Sequence, residues 1–121
     1  MAKFRRDFNA NEELGTKLKD ALVAEGYKMG DVKYIPTHIL KESVHIRLDA
    51  TERNKVRKFV IEFLNSLGYV KKVSGSSGDT FLNTDDNSKR VYYGIDACKY
   101  RAEGIDELQD YVSIFLIFET R

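Results

Sequence analysis

The chain contains one cysteine, one proline and no tryptophan in 121 residues, and its longest apolar run is Ile114 to Phe118. A lone Cys98 excludes an internal disulfide framework and fits a reducing compartment, so a cytoplasmic protein is expected. The apolar run is far short of the roughly 20 residues that cross a bilayer as a helix. The start MAKFRRDFN has basic residues with no apolar run behind them, which is not a secretory signal. No membrane partner is expected. Charge of one sign is also missing: 20 Lys and Arg stand against 19 Asp and Glu, a net of +1. With no global pull toward nucleic acid or membrane, any nucleic-acid site must be a local patch.

What is present is strong periodicity. Val56, Phe59, Val60, Phe63, Leu64 and Leu67 recur at the spacing that only a helix buries on one side. Asp49 and Glu52 have the spacing of a capping box, and Gly68 supplies a left-handed stop. An earlier helix is predicted from about Ala10 to Glu25, with Asn9 and Glu12 as its cap pair and Leu14, Leu18 and Leu22 as its stripe. Extended pieces are predicted at 32–35, 44–48, 69–73, 80–83, 89–97 and 110–120 from alternation and flanking turn residues. Pro36 marks an edge or break between the first two. The last piece is apolar on both parities and reads as a central strand covered on both faces. Tyr100 to Leu108 fits a loop or one turn of helix. The length and the 42% apolar content suit one domain over residues 1–121. The predicted fold class is α+β, with two amphipathic helices packed on a mostly antiparallel sheet of about five strands.

No motif specifies catalysis, and no enzyme is expected. SGSSGD lacks the Gly-Lys-Ser/Thr run into a helix that a phosphate loop requires, and a hairpin tip explains it. His38 and His45 would point to opposite faces of one continuous strand, and Cys98 is remote, so no zinc site is expected. Asp85 and Asp86 among Asn83, Asn87 and Ser88 lack the order of a calcium loop; turn chemistry accounts for them. Cys98 has no assignable base or helix start to activate it. Glu103, Asp106, Glu107 and Asp110 suit a solvated surface. No cofactor and no metal are therefore expected.

A basic and aromatic set remains. Lys17, Arg53, Arg57, Lys72 and Arg90 are candidates to meet RNA phosphates, with Tyr92 and Tyr93 as stacking surfaces for bases. Lysines on helix exteriors and tyrosines half-facing a core are the ordinary alternative. The RNA reading requires these side chains to form one strip in the fold.

Four stretches, LKDALVAEGY, VKYIPTHIL, TERNKVRKFVIEFLNSLGYVKKV and DTFLNTDDNSKRVYY, occur in this order over about half of the chain. In that order they resemble the RegA translational repressors of T-even bacteriophages. The resemblance implies a small cytoplasmic phage protein that binds the ribosome-binding region of messenger RNA without catalysis, and it matches Lys17 to a helix lysine implicated in RNA binding. The pattern departs at Asp79, where an arginine is expected, and near Gly94, where an aromatic is expected, with Tyr92 and Tyr93 beside it. The segment between the His-Ile-Leu run and the central helix is also shorter. Two expectations follow. One is a non-enzymatic RNA-binding regulator whose partner is single-stranded RNA. The other is a small protein-interaction module, either a phage-borne inhibitor of a host factor or a self-associating homodimer, which uses the apolar C-terminal strand as an unpaired edge.

Overall fold

The structure is a computed structural model, and it describes residues 3–29, 37–75, 78–100 and 109–121. The class is α+β, with two helices and a sheet of eight antiparallel strands among the described residues. Helix α1 spans Phe8–Glu25 and α2 spans Arg53–Ser66. The strands are β1 (Arg5–Arg6), β2 (Lys28–Met29), β3 (His38–Ile39), β4 (Val44–Asp49), β5 (Tyr69–Ser74), β6 (Asp79–Asn83), β7 (Lys89–Tyr100) and β8 (Gln109–Thr120). The sheet runs β2-β4-β8-β7-β6-β5, with β3 also on β4 and β1 also on β8. The excess over about five strands comes from β1, β2 and β3, which at two residues each are too short to show alternation. The predicted strand at 32–35, Pro36 and the segment 101–108 lie outside the described residues.

Helix α1 begins two residues earlier than predicted. Asp7 is the cap, extended at φ −93°, ψ 95°, and its Oδ1 accepts from the Ala10 N–H at 3.0 Å. Asn9 already lies within the helix. Gly26 ends it at φ 106° and donates to the Leu22 and Val23 carbonyls. For α2, Gly68 supplies the positive φ of 90°. The predicted Asp49–Glu52 capping box does not form: Asp49 is held in the ladder opposite Lys28, and Glu52 makes no side-chain cap bond.

The core lies on one face of the sheet. Val44, Ile46 and Leu48 of β4, Val112, Ile114, Leu116 and Phe118 of β8, Val91 and Tyr93 of β7, and Phe81 of β6 bury there against Leu18 and Leu22 of α1 and Val56, Val60 and Leu64 of α2. The predicted α2 stripe therefore faces inward, with Phe59, Phe63 and Leu67 half-buried at its margins. β8 is central, between β4 and β7, but among the described residues both helices cover the same side of it. Its other parity, including Phe115 and Ile117, is half-exposed, and no described helix lies over it.

Two edges are shared by pairs of short strands, and a side chain fills each gap. β4 pairs with β8 as far as Val44–Leu116, and β1 takes over at Glu119. Between them Phe118 bonds to Asn11 and Asp7: its N–H donates to Asn11 Oδ1 at 2.8 Å, and its carbonyl accepts from the Asp7 N–H at 2.8 Å. Asn11 also donates through Nδ2 to the Lys41 carbonyl at 2.8 Å. On β4, the Thr37 hydroxyl bridges β2 and β3 by accepting from the Arg47 N–H at 3.0 Å and donating to its carbonyl at 3.3 Å.

Two substitutions test this packing. Asn11→Ala strands a buried N–H and a carbonyl, and should cost about 2–4 kcal/mol in urea unfolding. A Cβ at Gly15 would stand 2.6 Å from Val44 Cγ2, on a side chain that is fully buried. Gly15→Ala gains about 1 kcal/mol of helix propensity but meets an overpacking cost of about 1–3 kcal/mol. The midpoint should therefore fall, not rise.

Candidate nucleic-acid interface

Because neighbouring residues of a strand point to opposite faces, the ladder registers decide which side chains share the face away from the helices. His38 opposes His45, His45 opposes Phe115, and Phe115 opposes Gly94, giving one row across β3, β4, β8 and β7. The next row holds Thr80, Tyr92 and Ile117. Toward one end lie Leu82, Arg90, Glu119 and Arg6. Toward the other lie Asp96, Ser113 and Arg47, then Cys98 and Tyr111.

The centre of this face is aromatic. The His45 and Phe115 rings are 4.9 Å apart, and Tyr92 meets Phe115 edge-on at 6.2 Å. All three are half-exposed. The two histidines are therefore cross-strand neighbours on one face, since a hairpin and not a continuous strand joins them. This corrects the predicted opposition. Among the described residues, no three His, Cys, Asp or Glu side chains converge as metal ligands. Burial, and then Arg47 and His38, hold the His45 imidazole below its ordinary pKa, so its neutral form is favoured.

Each end of the face carries arginine, with an acid on the same rows, Glu119 at one end and Asp96 at the other. Arg90 bonds Glu119 Oε1 through Nε at 2.8 Å, and its guanidinium carbon stands 4.0 Å from the centroid of the Phe4 ring. Arg121 stands over the same ring at 4.8 Å. At the far end, Arg47 follows His45 on β4 at the same face.

The seven predicted site residues do not form one strip. Arg90 and Tyr92 are on the uncovered face. Tyr93, one residue on, points into the core and is 1% exposed, which removes it as a stacking surface. Arg53 and Arg57 lie with Tyr93 on the helical side, around a cavity of about 230 Å³ that Asp79 also lines. Arg57 pairs with Asp79 at 3.3 Å. Lys17 is on the exposed side of α1, bound to Glu13 at 3.3 Å; both side chains are more than half exposed, so the pair contributes a few tenths of a kcal/mol at most. Lys72 is exposed at the bulge of β5, the outermost strand. The residues that sequence reasoning missed are Phe4, His45, Arg47, Phe115 and Arg121. The alternation of Val44, Ile46 and Leu48 already assigned His45 and Arg47 to the outer face; Phe115 was hidden in a strand apolar on both parities.

The acidic turn is held by local bonds. Asn83 Oδ1 accepts from the Asp85 and Asp86 N–H groups at 2.9 and 3.1 Å, and Asp86 Oδ1 from the Ser88 N–H at 3.0 Å. No helix among the described residues is long and apolar enough to cross a membrane. No protein-family model, curated protein or solved structure matches the chain.

The His45 environment has a consequence in acid. Its folded pKa lies below the unfolded value near 6.5, so the stability it confers is complete above that pH and is lost as pH falls through the folded pKa. The melting temperature should drop between about pH 7.5 and 5. His45→Gln, which keeps a hydrogen-bonding end near Ser43, should shrink that drop when both proteins are followed by circular dichroism.

Proposed function

We propose that the uncovered face of the sheet binds single-stranded RNA, and that the protein is a non-enzymatic regulator of the translational-repressor kind implied by its resemblance to the RegA proteins. The observation that carries this reading is the group of half-exposed rings on three adjacent strands, His45 and Phe115 in one row and Tyr92 in the next, with arginines toward both ends. Unstacked bases of any sequence lie on flat rings, and arginines at either end of the group reach the phosphates. The rings are inclined to one another by 54° and 75°, so each offers its own stacking surface. The predicted requirement that all seven residues form one strip is not met, so the RNA reading in that form is given up and the proposal rests on a different set of residues. That set keeps Arg90 and Tyr92, gains His45, Arg47 and Phe115, and no longer includes Tyr93 as a stacking ring.

The rival, docking of a protein partner or a second copy through the C-terminal strand, has less of that strand to use, because Val112–Leu116 and Glu119–Thr120 of β8 are paired on both edges. A protein partner would otherwise use the same aromatic face or the β5 edge. The β5 edge carries Lys71, Lys72 and a bulge, features that discourage strand addition.

Filter binding of a short unstructured RNA tests the proposal. Retention at low salt should fall as salt rises, with a logarithmic slope near −2 if about three phosphates are neutralised. Tyr92→Ala and Phe115→Leu should each weaken binding about tenfold, the scale of one lost stacking contact. Lys17→Ala, on the other side of the sheet, should leave it unchanged. Absence of retention at low salt, or retention indifferent to both ring substitutions, overturns the proposal. A loss confined to Lys17→Ala would move the RNA to α1.

A further inference from the structure

An unbalanced positive charge stands at the end of the uncovered face where β1 joins β8. Arg6 opposes Glu119 and Glu119 opposes Arg90, so three adjacent strands set these side chains in one row. Phe4 directly precedes β1 and Arg121 directly follows β8, and both reach this end of the face. The Arg90 guanidinium carbon is 4.0 Å from the centroid of the Phe4 ring, and that of Arg121 is 4.8 Å from it. Three cations and one carboxylate therefore share this end with one ring.

The carboxylate is already used. Arg90 Nε donates to Glu119 Oε1 at 2.8 Å, which leaves the two Nη groups of Arg90 without a hydrogen-bond partner among the described residues. Arg6 and Arg121 are exposed, and neither forms an ion pair among the described residues. Nearby acids are engaged as well: Asp7 accepts from the Ala10 N–H, and Asp86 from the Ser88 N–H. At the opposite end of the face Arg47 shares a row with Asp96, and Lys28 opposes Asp49, so the charges there cancel. The field across the face is one-sided, and it draws an anionic strand to the β1 end.

The cationic end is ordered before any ligand arrives. The Arg121 N–H donates to the Ser88 carbonyl at 2.9 Å, which ties Arg121 to the residue before β7. The Phe4 ring attracts both guanidinium groups, and that attraction offsets their mutual repulsion. Groups fixed in advance lose less freedom on binding. Exposed guanidinium forks match the paired oxygens of a phosphate. Arg90 and Tyr92 are alternate residues of β7 on one face, about 7 Å apart along the strand. A nucleotide whose base lies on the Tyr92 ring therefore has its phosphate within reach of the cluster. An acidic peptide would satisfy the arginines but not the adjoining rings.

We propose, resting on the RNA reading above, that Arg6, Arg90 and Arg121 form a phosphate clamp that anchors the bound single strand at the β1 end, with Phe4 as the positioning residue that presents Arg90 and Arg121. The strand is held asymmetrically: its phosphates are gripped at one end of the face, and its bases lie across the rings toward the other.

Fluorescence anisotropy at low salt with two labelled oligomers of equal length and charge tests this: oligouridine, and an abasic phosphodiester that has no bases to stack. Both should bind, oligouridine more tightly. Arg6→Gln and Arg121→Gln should each weaken both about fivefold, the upper end for an exposed ion pair, and reduce the logarithmic salt slope by about 0.7. Arg47→Gln, at the balanced end, should cost only about twofold. Phe4→Leu, which alters no charge, should weaken both about threefold, and Phe4→Tyr should restore binding, because an aromatic face is what the arginines need. Tyr92→Ala should weaken oligouridine alone. If neither oligomer binds, this proposal and the RNA reading fall together. An abasic oligomer indifferent to Arg6→Gln and Arg121→Gln overturns the clamp, and the RNA reading stands if oligouridine binding still depends on the rings. Oligouridine that binds no more tightly than the abasic oligomer, with the arginine dependence intact, overturns the ring platform and leaves the clamp as a phosphodiester site. Equal losses from Arg47→Gln and Arg121→Gln overturn the one-sided anchor. Polyglutamate of equal charge that displaces the abasic oligomer as well as an unlabelled copy does would make the cluster a general anion patch and overturn the phosphate assignment.

Discussion

The amide of Asn11 is the joint on which the architecture depends. β8 is the central strand, yet one of its edges has no single partner long enough to cover it: the β4 ladder ends opposite Leu116 and the β1 ladder starts opposite Glu119. A buried N–H left bare at Phe118 would cost as much as many side-chain contacts contribute. Asn11 closes the gap from within a helix, accepting from β8 and donating to Lys41 in the turn between β3 and β4. Three parts of the chain far apart in sequence are thereby fixed by one side chain. Since Asn11 belongs to α1, the same bonds decide on which face of the sheet that helix lies. Gly15, one turn on, then lets the helix sit directly on Val44.

Fixing α1 on that face, beside α2, leaves the opposite face of the sheet without a helical cover among the described residues. A sheet with one solvated side normally alternates apolar with polar residues. This one places Phe115, Ile117, Tyr92 and Leu82 on the solvated side, half-exposed. Aromatic area left in partial contact with water forgoes burial worth about 25 cal/mol per Å². A fold whose core is already closed by sixteen buried apolar side chains can tolerate that loss. The tolerance is what lets the outer face carry rings.

The core was legible in the sequence where one pattern had one cause. The α2 stripe, the Gly26 and Gly68 stops, the alternation of β4 and the return of β6 on β5 all follow from periodicity and glycine chemistry, and these elements lie where those signals put them. The two-residue strands were not legible, because their pairing is dictated by Asn11 and Thr37, whose partners are 107 and 10 residues away. The Asp49–Glu52 cap failed for a related reason: the ladder to Lys28 competes for Asp49, and a local motif yields to a tertiary contact. The site was less legible still. Composition counts cations and rings without regard to face, and a one-residue step between Tyr92 and Tyr93 exchanges solvent for core.

That one-residue step also fixes what the outer face can offer. Had the tyrosines been two apart, both would share a face, and both rings would either meet solvent or bury. Their adjacency places the Tyr92 ring outside and the Tyr93 ring in the core, with Gly78 close against the Tyr92 ring and the Tyr93 carbonyl. The outer rings are inclined to one another by 54° and 75°, so each has its own face rather than one shared plane. Under the RNA proposal such rings would take bases one at a time, which requires an unpaired strand, because a stacked duplex keeps its base faces covered.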